Sequence, residues 1–182
     1  MRYKHVYALT SSEVLQLISS CRGFEEKFTI LTLVDTGLRL QEFCNLRQED
    51  ILWQQNRILI REGKGNKTRY AELHGDRLRK VLETYFSLYT SVLEGTSKQM
   101  SMESCLRTVR RWVVGIASRS GLTKPVRPHT LRHTYATTFL IQKRGSIYEL
   151  KRFLGHSSIM TTERYLHVIE EQGLREAEDA RR

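Results

Sequence analysis

The chain has 182 residues, 40% of them hydrophobic, and its 30 Lys and Arg against 20 Asp and Glu give a formal net charge of +10 and a pI near 9.8. That is enough apolar material for one core and too little for two, and no apolar run approaches the roughly 20 residues of a membrane span, nor does a signal segment open the chain. The expectation is a soluble, cytoplasmic protein with a polyanionic partner: nucleic acid first, an anionic membrane surface a distant second.

The elements follow in chain order. Thr10-Ser-Ser-Glu13 is a capping box, and Val14, Leu17, Ile18 and Cys21 recur at helical spacing until Gly23. From Phe24 to Thr36 apolar positions nearly encircle the next helix, which is therefore predicted to be central and to stop at Gly37. A short helix through Leu40, Phe43, Cys44 and Leu46 puts Arg39 at its start, a charge at the edge of an apolar unit that needs a negative partner. Arg57 to Arg61 and Thr68 to Leu73 read as strands of a β-hairpin whose turn, Gly63-Lys-Gly-Asn-Lys67, carries Lys64 and Lys67 at its tip.

A helix over about Asp76 to Tyr89 presents Leu78, Val81, Leu82, Tyr85 and Tyr89 on one side, and Thr90 to Ser101 reads as a loop. Cys105, Val109, Trp112, Val113 and Ile116 mark another amphipathic helix closed by Gly121. Pro128 delays the helix after it to about His129, so that His129 and Arg132 share a face beside free N-terminal N–H groups, an arrangement suited to a phosphate. Lys143, Arg144 and Gly145 are expected to close that helix. A short helix then runs from Ser146 to Leu154-Gly155 and delivers His156 in the turn, after which Ser157 or Ser158 caps a helix bearing Thr161, Thr162 and Tyr165. The charged stretch 169–182 is expected to be a helical tail docking weakly, on a partner copy if at all. The fold class is thus mainly α with a small antiparallel β-sheet: one catalytic domain over residues 1–182, its core about 10–168.

Two arginines, a lysine, two histidines and a tyrosine are what metal-free phosphodiester cleavage with a tyrosine nucleophile requires. Arg39 and Arg132 would each donate two hydrogen bonds to the nonbridging oxygens, where charge grows in the transition state, with His129 and His156 sharing the load. Tyr165 would attack, His129 would take the phenolic proton, and Lys64 would protonate the departing 5′ oxygen. Several neighbours have plainer readings. Tyr85, Tyr89, Tyr135 and Tyr148 read as packing, and Lys67 and Arg69 as charges that steer DNA. His133 reads as a support behind the site; with His129 it has the spacing of a zinc pair, but Thr130 stands where a zinc protease needs Glu. Glu42 is open between a solvated helix residue and a partner that orients a site residue. Cys21, Cys44 and Cys105 are odd in number and far apart, which argues for buried reduced thiols rather than disulfides or zinc ligands.

Four of these stretches, in this order, resemble the catalytic domain of the tyrosine recombinases and phage-type integrases: Thr36-Gly-Leu-Arg39 with Glu42, Leu46 and Asp50-Ile51; Gly63-Lys-Gly-Asn-Lys67 with Arg69; Pro128-His-Thr-Leu-Arg-His-Thr-Tyr-Ala136; and Leu154-Gly-His-Ser-Ser with Thr161, Thr162 and Tyr165. The resemblance implies phosphate binding by Arg39 and Arg132, acid catalysis by Lys64, proton transfer and phosphate contact by His129, phosphate contact by His156, and attack by Tyr165. It also implies strand exchange on double-stranded DNA through a 3′-phosphotyrosyl intermediate, no metal or other cofactor, and self-association on DNA. Two features depart from the family pattern. Glu72 stands where a proline is frequent, and the usual preceding DNA-clamping domain is missing, so the chain is either a piece of a longer protein or a reduced form. The alternatives are a DNA-binding module of recombinase descent that does not cut, and a type IB topoisomerase.

Overall fold

The computed structural model describes residues 7–63, 67–96, 101–142, 144–163, 165, 166, 168 and 169. It begins with α1 (Ser11–Ser19), where the Thr10 hydroxyl accepts from the Glu13 N–H and the Glu13 carboxylate accepts from the Thr10 N–H, the reciprocal cap expected from Thr10-Ser-Ser-Glu13. α2 (Phe24–Thr36) is buried along nearly its whole length, as its apolar circumference requires, and ends at Gly37 in the left-handed region with φ 63°. α3 (Leu40–Cys44) follows directly, with Arg39 in extended geometry as its N-cap.

The sheet is larger than the predicted hairpin. A short strand β1 (Ile51–Leu52) precedes β2 (Arg57–Gly63) and β3 (Lys67–Glu72), all antiparallel in the order β1-β2-β3. Two residues are too short to show alternation, which is why β1 escaped a reading of periodicity. The register pairs Ile58 with Ala71 and Ile60 with Arg69. Ile58, Ile60 and Ala71 are buried and Tyr70 is exposed, so residues 69 and 71 face inward and 70 outward. Glu72, at the family's frequent proline position, closes β3 and pairs with His74.

α4 (Asp76–Leu88) stacks Tyr85 on Phe28 of α2, ring centroids 3.6 Å apart and nearly parallel. The stretch expected to be a loop instead holds α5 (Val92–Thr96). Its start is tied by the Val92 N–H to the Leu46 carbonyl, and a side chain on Gly95 would meet the Tyr85 hydroxyl, so tertiary packing makes a helix of a polar segment with poor propensity. α6 (Met102–Arg119) buries Cys105, Val109, Val113 and Ile116, and α7 (Pro128–Ile141) ends at Gln142, ahead of the Lys143 to Gly145 stop expected for it. α8 (Ile147–Leu154) is capped by Ser146 and by Gly155 at φ 61°, and residues 160–163, 165, 166, 168 and 169 are helical.

The core has two parts. The larger joins α1 to α6, the sheet and Leu131 of α7; the smaller gathers Tyr135, Ala136 and Phe139 of α7 with Leu150, Leu154 and Tyr165. α7 therefore belongs to both, and the first turns of this one helix sit at their seam. Buried threonines on α2 (Thr29, Thr32, Thr36) and α7 (Thr134, Thr137) keep side chains small where these helices pack. Cys44 and Cys105 are buried, Cys21 is half-buried, and all are free thiols. No helix among the described residues is long and apolar enough to cross a membrane.

Candidate active site

The left-handed residue that ends α2 turns the chain so that Arg39 leaves the core edge aimed at the last turn of α8. Its backbone N–H donates to Glu42 Oε2 at 2.7 Å, its Nη1 to Glu42 Oε1 at 2.8 Å, and its Nη2 to the Gly155 carbonyl at 3.1 Å. A quarter of the Arg39 side chain remains exposed.

Arg132, on the second turn of α7, is only 4% exposed. A buried guanidinium is tolerated only when its N–H groups are satisfied, and here Nη1 donates to the Gly37 carbonyl at 2.6 Å and Nη2 to the Leu154 carbonyl at 2.5 Å. Burial, and then the repulsion of Arg39, lower its pKa to about 10, so it remains a cation at neutral pH.

Glu42 ties the cluster together. It is 7% exposed, accepts from Arg39, and takes Arg69 Nη2 at 2.6 Å, with Arg132 Nη1 at 3.9 Å. Burial pushes its carboxyl up, but Arg69, the Arg39 N–H, Arg132 and Arg39 together outweigh that and hold it below its ordinary value. Glu42 is therefore buried and ion-paired and not a solvated helix residue. Three guanidinium charges against one carboxylate leave the cluster two charges positive, which an anion would compensate.

His156 follows Gly155 and lies against this cluster, its Nε2 3.3 Å from Arg132 Nη2 and its Nδ1 2.9 Å from Thr162 Oγ1. A guanidinium can only donate, so Nε2 accepts and the ring proton resides on Nδ1, donated to Thr162. The imidazole is nearly parallel to the Tyr165 ring, 11° and 6.4 Å between centroids. Tyr165 is 2% exposed, and its hydroxyl meets His133 Nδ1 at 2.9 Å.

His129, one turn before Arg132, lines a groove of about 560 Å³ with Arg39, Arg110, Arg127, Leu106 and Val114. Burial, followed by the charges of Arg132, Arg39 and Arg110, lowers its pKa, favouring the neutral ring that can accept a proton. Arg39, Arg132, His156 and Tyr165 thus form one connected network with Glu42, and His129 opens beside Arg39. Lys64 lies outside the described residues, as does the side chain of Lys67. No cluster of three or more His, Cys, Asp or Glu among the described residues could hold a metal ion.

One residue, Arg69, is placed differently from its sequence reading, and His133 is placed more specifically than its own. Arg69 is not a solvent-facing charge: its side chain is 10% exposed and bonds Glu42 and the Phe153 carbonyl. The signal was there, since Arg69 shares the inward face of its strand with Ala71, where an unpaired charge would be costly. His133, expected as a support, bonds the proposed nucleophile directly; its spacing from Tyr165 in sequence carries no such information.

A model of the phage integrase family matches residues 8–172. A protein named tyrosine recombinase from Thermosipho africanus is 36% identical over 170 residues, covering 90% of this chain and 58% of that protein. Tyrosine recombinase XerA of Saccharolobus solfataricus is 30% identical over 170 residues, covering 93% of this chain and 55% of its own. The crystal structure of XerA recombinase superposes with a TM-score of 0.80 at 28% identity, over all of this chain and 65% of that one. XerH site-specific recombinase bound to palindromic difH substrate in a post-cleavage complex superposes with a TM-score of 0.72 at 26% identity, over 96% of this chain and 53% of that one. The chain spans a little over half the length of these curated relatives.

Proposed function

The chain belongs to the phage integrase family, and from that premise we propose that it is the catalytic part of a site-specific DNA recombinase, cutting and rejoining strands through a 3′-phosphotyrosyl intermediate. The observation that carries this reading is one contiguous cluster: Glu42 hydrogen-bonded to Arg39 and Arg69 and ion-paired to Arg132, Arg132 against His156, and the His156 ring parallel to that of Tyr165, with the three guanidiniums two charges in excess of the carboxylate.

In this reading a DNA phosphate takes the place of that missing negative charge. Arg39 and Arg132 bind its nonbridging oxygens, and both are already oriented by carbonyls and by Glu42, so little reorganisation accompanies the reaction. The Tyr165 oxygen attacks phosphorus and its proton passes to neutral His129, while His133 holds the hydroxyl in the DNA-free protein. The bond to the 5′ oxygen breaks, and Lys64 supplies that oxygen's proton. The phosphotyrosyl bond keeps the energy of the broken phosphodiester, so a second 5′ hydroxyl can reverse the sequence and join a new strand. Synapsis would bring copies of the chain together, with the 169–182 tail as a candidate contact, and the site of action would be the DNA-containing cytoplasm. The relatives matched are named recombinases, which does not favour a topoisomerase or a non-cutting module.

A nicked suicide duplex, incubated at low salt without divalent ions and then denatured in detergent, tests the reading. A covalent adduct is expected, and it should disappear in Tyr165→Phe. An adduct that survives that substitution moves the nucleophile elsewhere.

A further inference from the structure

His156 meets the arginine cluster with one ring nitrogen and a buried threonine with the other. Its Nε2 lies 3.3 Å from Arg132 Nη2 and its Nδ1 2.9 Å from Thr162 Oγ1. Thr162 is fully buried near the start of the last helix, where Ser158 Oγ accepts from the Met160 N–H and the Thr162 and Glu163 N–H groups both donate to the Ile159 carbonyl. Thr162 precedes Tyr165 by three positions, so the two share a helix face, and the ring it holds is the one lying parallel to the Tyr165 ring. Other buried threonines in the fold serve packing: the Thr29, Thr32 and Thr137 hydroxyls have no hydrogen-bond partner among the described residues. The Thr162 hydroxyl is bonded to an imidazole instead.

These two contacts fix the proton of the ring. Arg132 only donates, so Nε2 is the unprotonated nitrogen and Nδ1–H donates to Thr162. A nitrogen that accepts from Arg132 cannot donate to a phosphate oxygen, so a contact between His156 and DNA requires a proton on Nε2. An imidazolium would supply one, but a phosphodiester of one charge still leaves the three guanidiniums and Glu42 positive, which disfavours a further cation. The other neutral tautomer remains, and in that form Nδ1 becomes an acceptor that needs a donor. A threonine hydroxyl is both acceptor and donor, so Thr162 can serve either tautomer by turning its O–H. Neither a carbonyl nor a backbone N–H could do so.

We propose that Thr162 is a positioning residue for His156: its rotatable hydroxyl lets the ring exchange an Nδ1 proton for an Nε2 proton when a DNA phosphate enters the cluster, turning His156 from an acceptor for Arg132 into a neutral donor to the phosphate. One proton leaves Nδ1 and one arrives at Nε2 through water, so the charge of the site is unchanged. The proposal deepens the reading above and rests on it in that a DNA phosphate is the anion.

The test reads the proton directly. Protein labelled with nitrogen-15 histidine is observed by two-bond nitrogen–proton NMR at about pH 8, where an ordinary histidine is neutral, and the His156 signals are assigned by their loss in His156→Gln. The proton should lie on Nδ1 in the DNA-free protein. It should lie on Nε2 when Tyr165→Phe, which cannot form the adduct, is saturated with intact duplex at low salt. Single-turnover adduct formation on the nicked suicide duplex then separates the hydroxyl from packing. Thr162→Val keeps the shape but loses the hydroxyl, and should be about 10- to 10²-fold slower, the range that an unpaired buried imidazole nitrogen implies. Thr162→Ser keeps the hydroxyl and should be close to the wild-type rate.

A proton on Nε2 without DNA, a proton that stays on Nδ1 in the complex, or an imidazolium there would overturn the proposal. So would a wild-type rate in Thr162→Val, a Thr162→Ser rate as low as that of Thr162→Val, or failure of both variants to fold by circular dichroism, each of which leaves the hydroxyl without a part in the reaction. A wild-type chain that gives no Tyr165 adduct, while His156 still changes tautomer on the duplex, would remove the strand-exchange reading and leave the proton exchange standing.

Discussion

At the scale of single residues, the site is organised by a carboxylate more than by its cations. Glu42 is nearly buried among three guanidiniums, so removing its charge leaves those guanidiniums uncompensated. Glu42→Gln is expected to lower unfolding free energy by about 3–5 kcal/mol, measured by denaturant titration at neutral pH. The pH dependence follows from the direction of its shift. A carboxyl held below its ordinary 4.5 contributes stability that is fully present above that value and is lost as pH falls through the folded-state pKa beneath it. The wild-type chain should therefore lose stability below about pH 4.5 with a steeper slope than Glu42→Gln, whose amide does not titrate. An identical acid slope in both proteins would show that Glu42 is not held ionised. Arg39 and Arg132 were legible in the sequence because arginine in an otherwise apolar setting asks for an anion. The importance of Glu42 was only half legible, since a glutamate three residues after Arg39 is equally at home facing water.

Among elements, the turn between α2 and α3 matters most to the site. Gly37 occupies the left-handed region at φ 63°, a Cβ there would lie 2.3 Å from the Tyr135 ring, and its carbonyl accepts from Arg132. Gly37→Ala should add backbone strain to overpacking, a loss of about 2–5 kcal/mol by denaturant titration. It should also weaken binding of duplex DNA at low salt, because the anchor that orients Arg132 moves with the turn. A variant as stable as the wild type would mean that the ring simply yields. The capping box of α1, the encircled α2 and the glycine stops at Gly37 and Gly155 were all readable, because each is a local code in which neighbouring residues satisfy one another's N–H and C=O groups. β1 and α5 were not. They depend on Ile51 pairing with Ile58 and on Val92 bonding Leu46, contacts that no short window of sequence contains.

For the molecule as a whole, the net charge of +10 sets the conditions under which it can meet DNA. Binding should weaken with salt at a log–log slope of about −0.9 per phosphate neutralised, read from fluorescence anisotropy across a salt series. A flat dependence would be incompatible with a phosphate-driven interface. The chain spans a little over half the length of the relatives it matches, so this slope reports the contacts made by these residues and not those of a full-length relative. The sequence by itself determined the helical frame and the family, since near-neighbour spacing suffices to mark a capped helix and four separated motifs in order suffice to mark the family whose model matches residues 8–172. Only the tertiary structure decided that Arg69 turns inward to Glu42, that His133 meets Tyr165, and that Arg39 and Arg132 share one carboxylate. Apart from Arg39 with Glu42, those pairings join residues more than twenty positions apart, and their energies arise from exclusion of water at the seam between two cores, a place that exists only once the chain has closed around it.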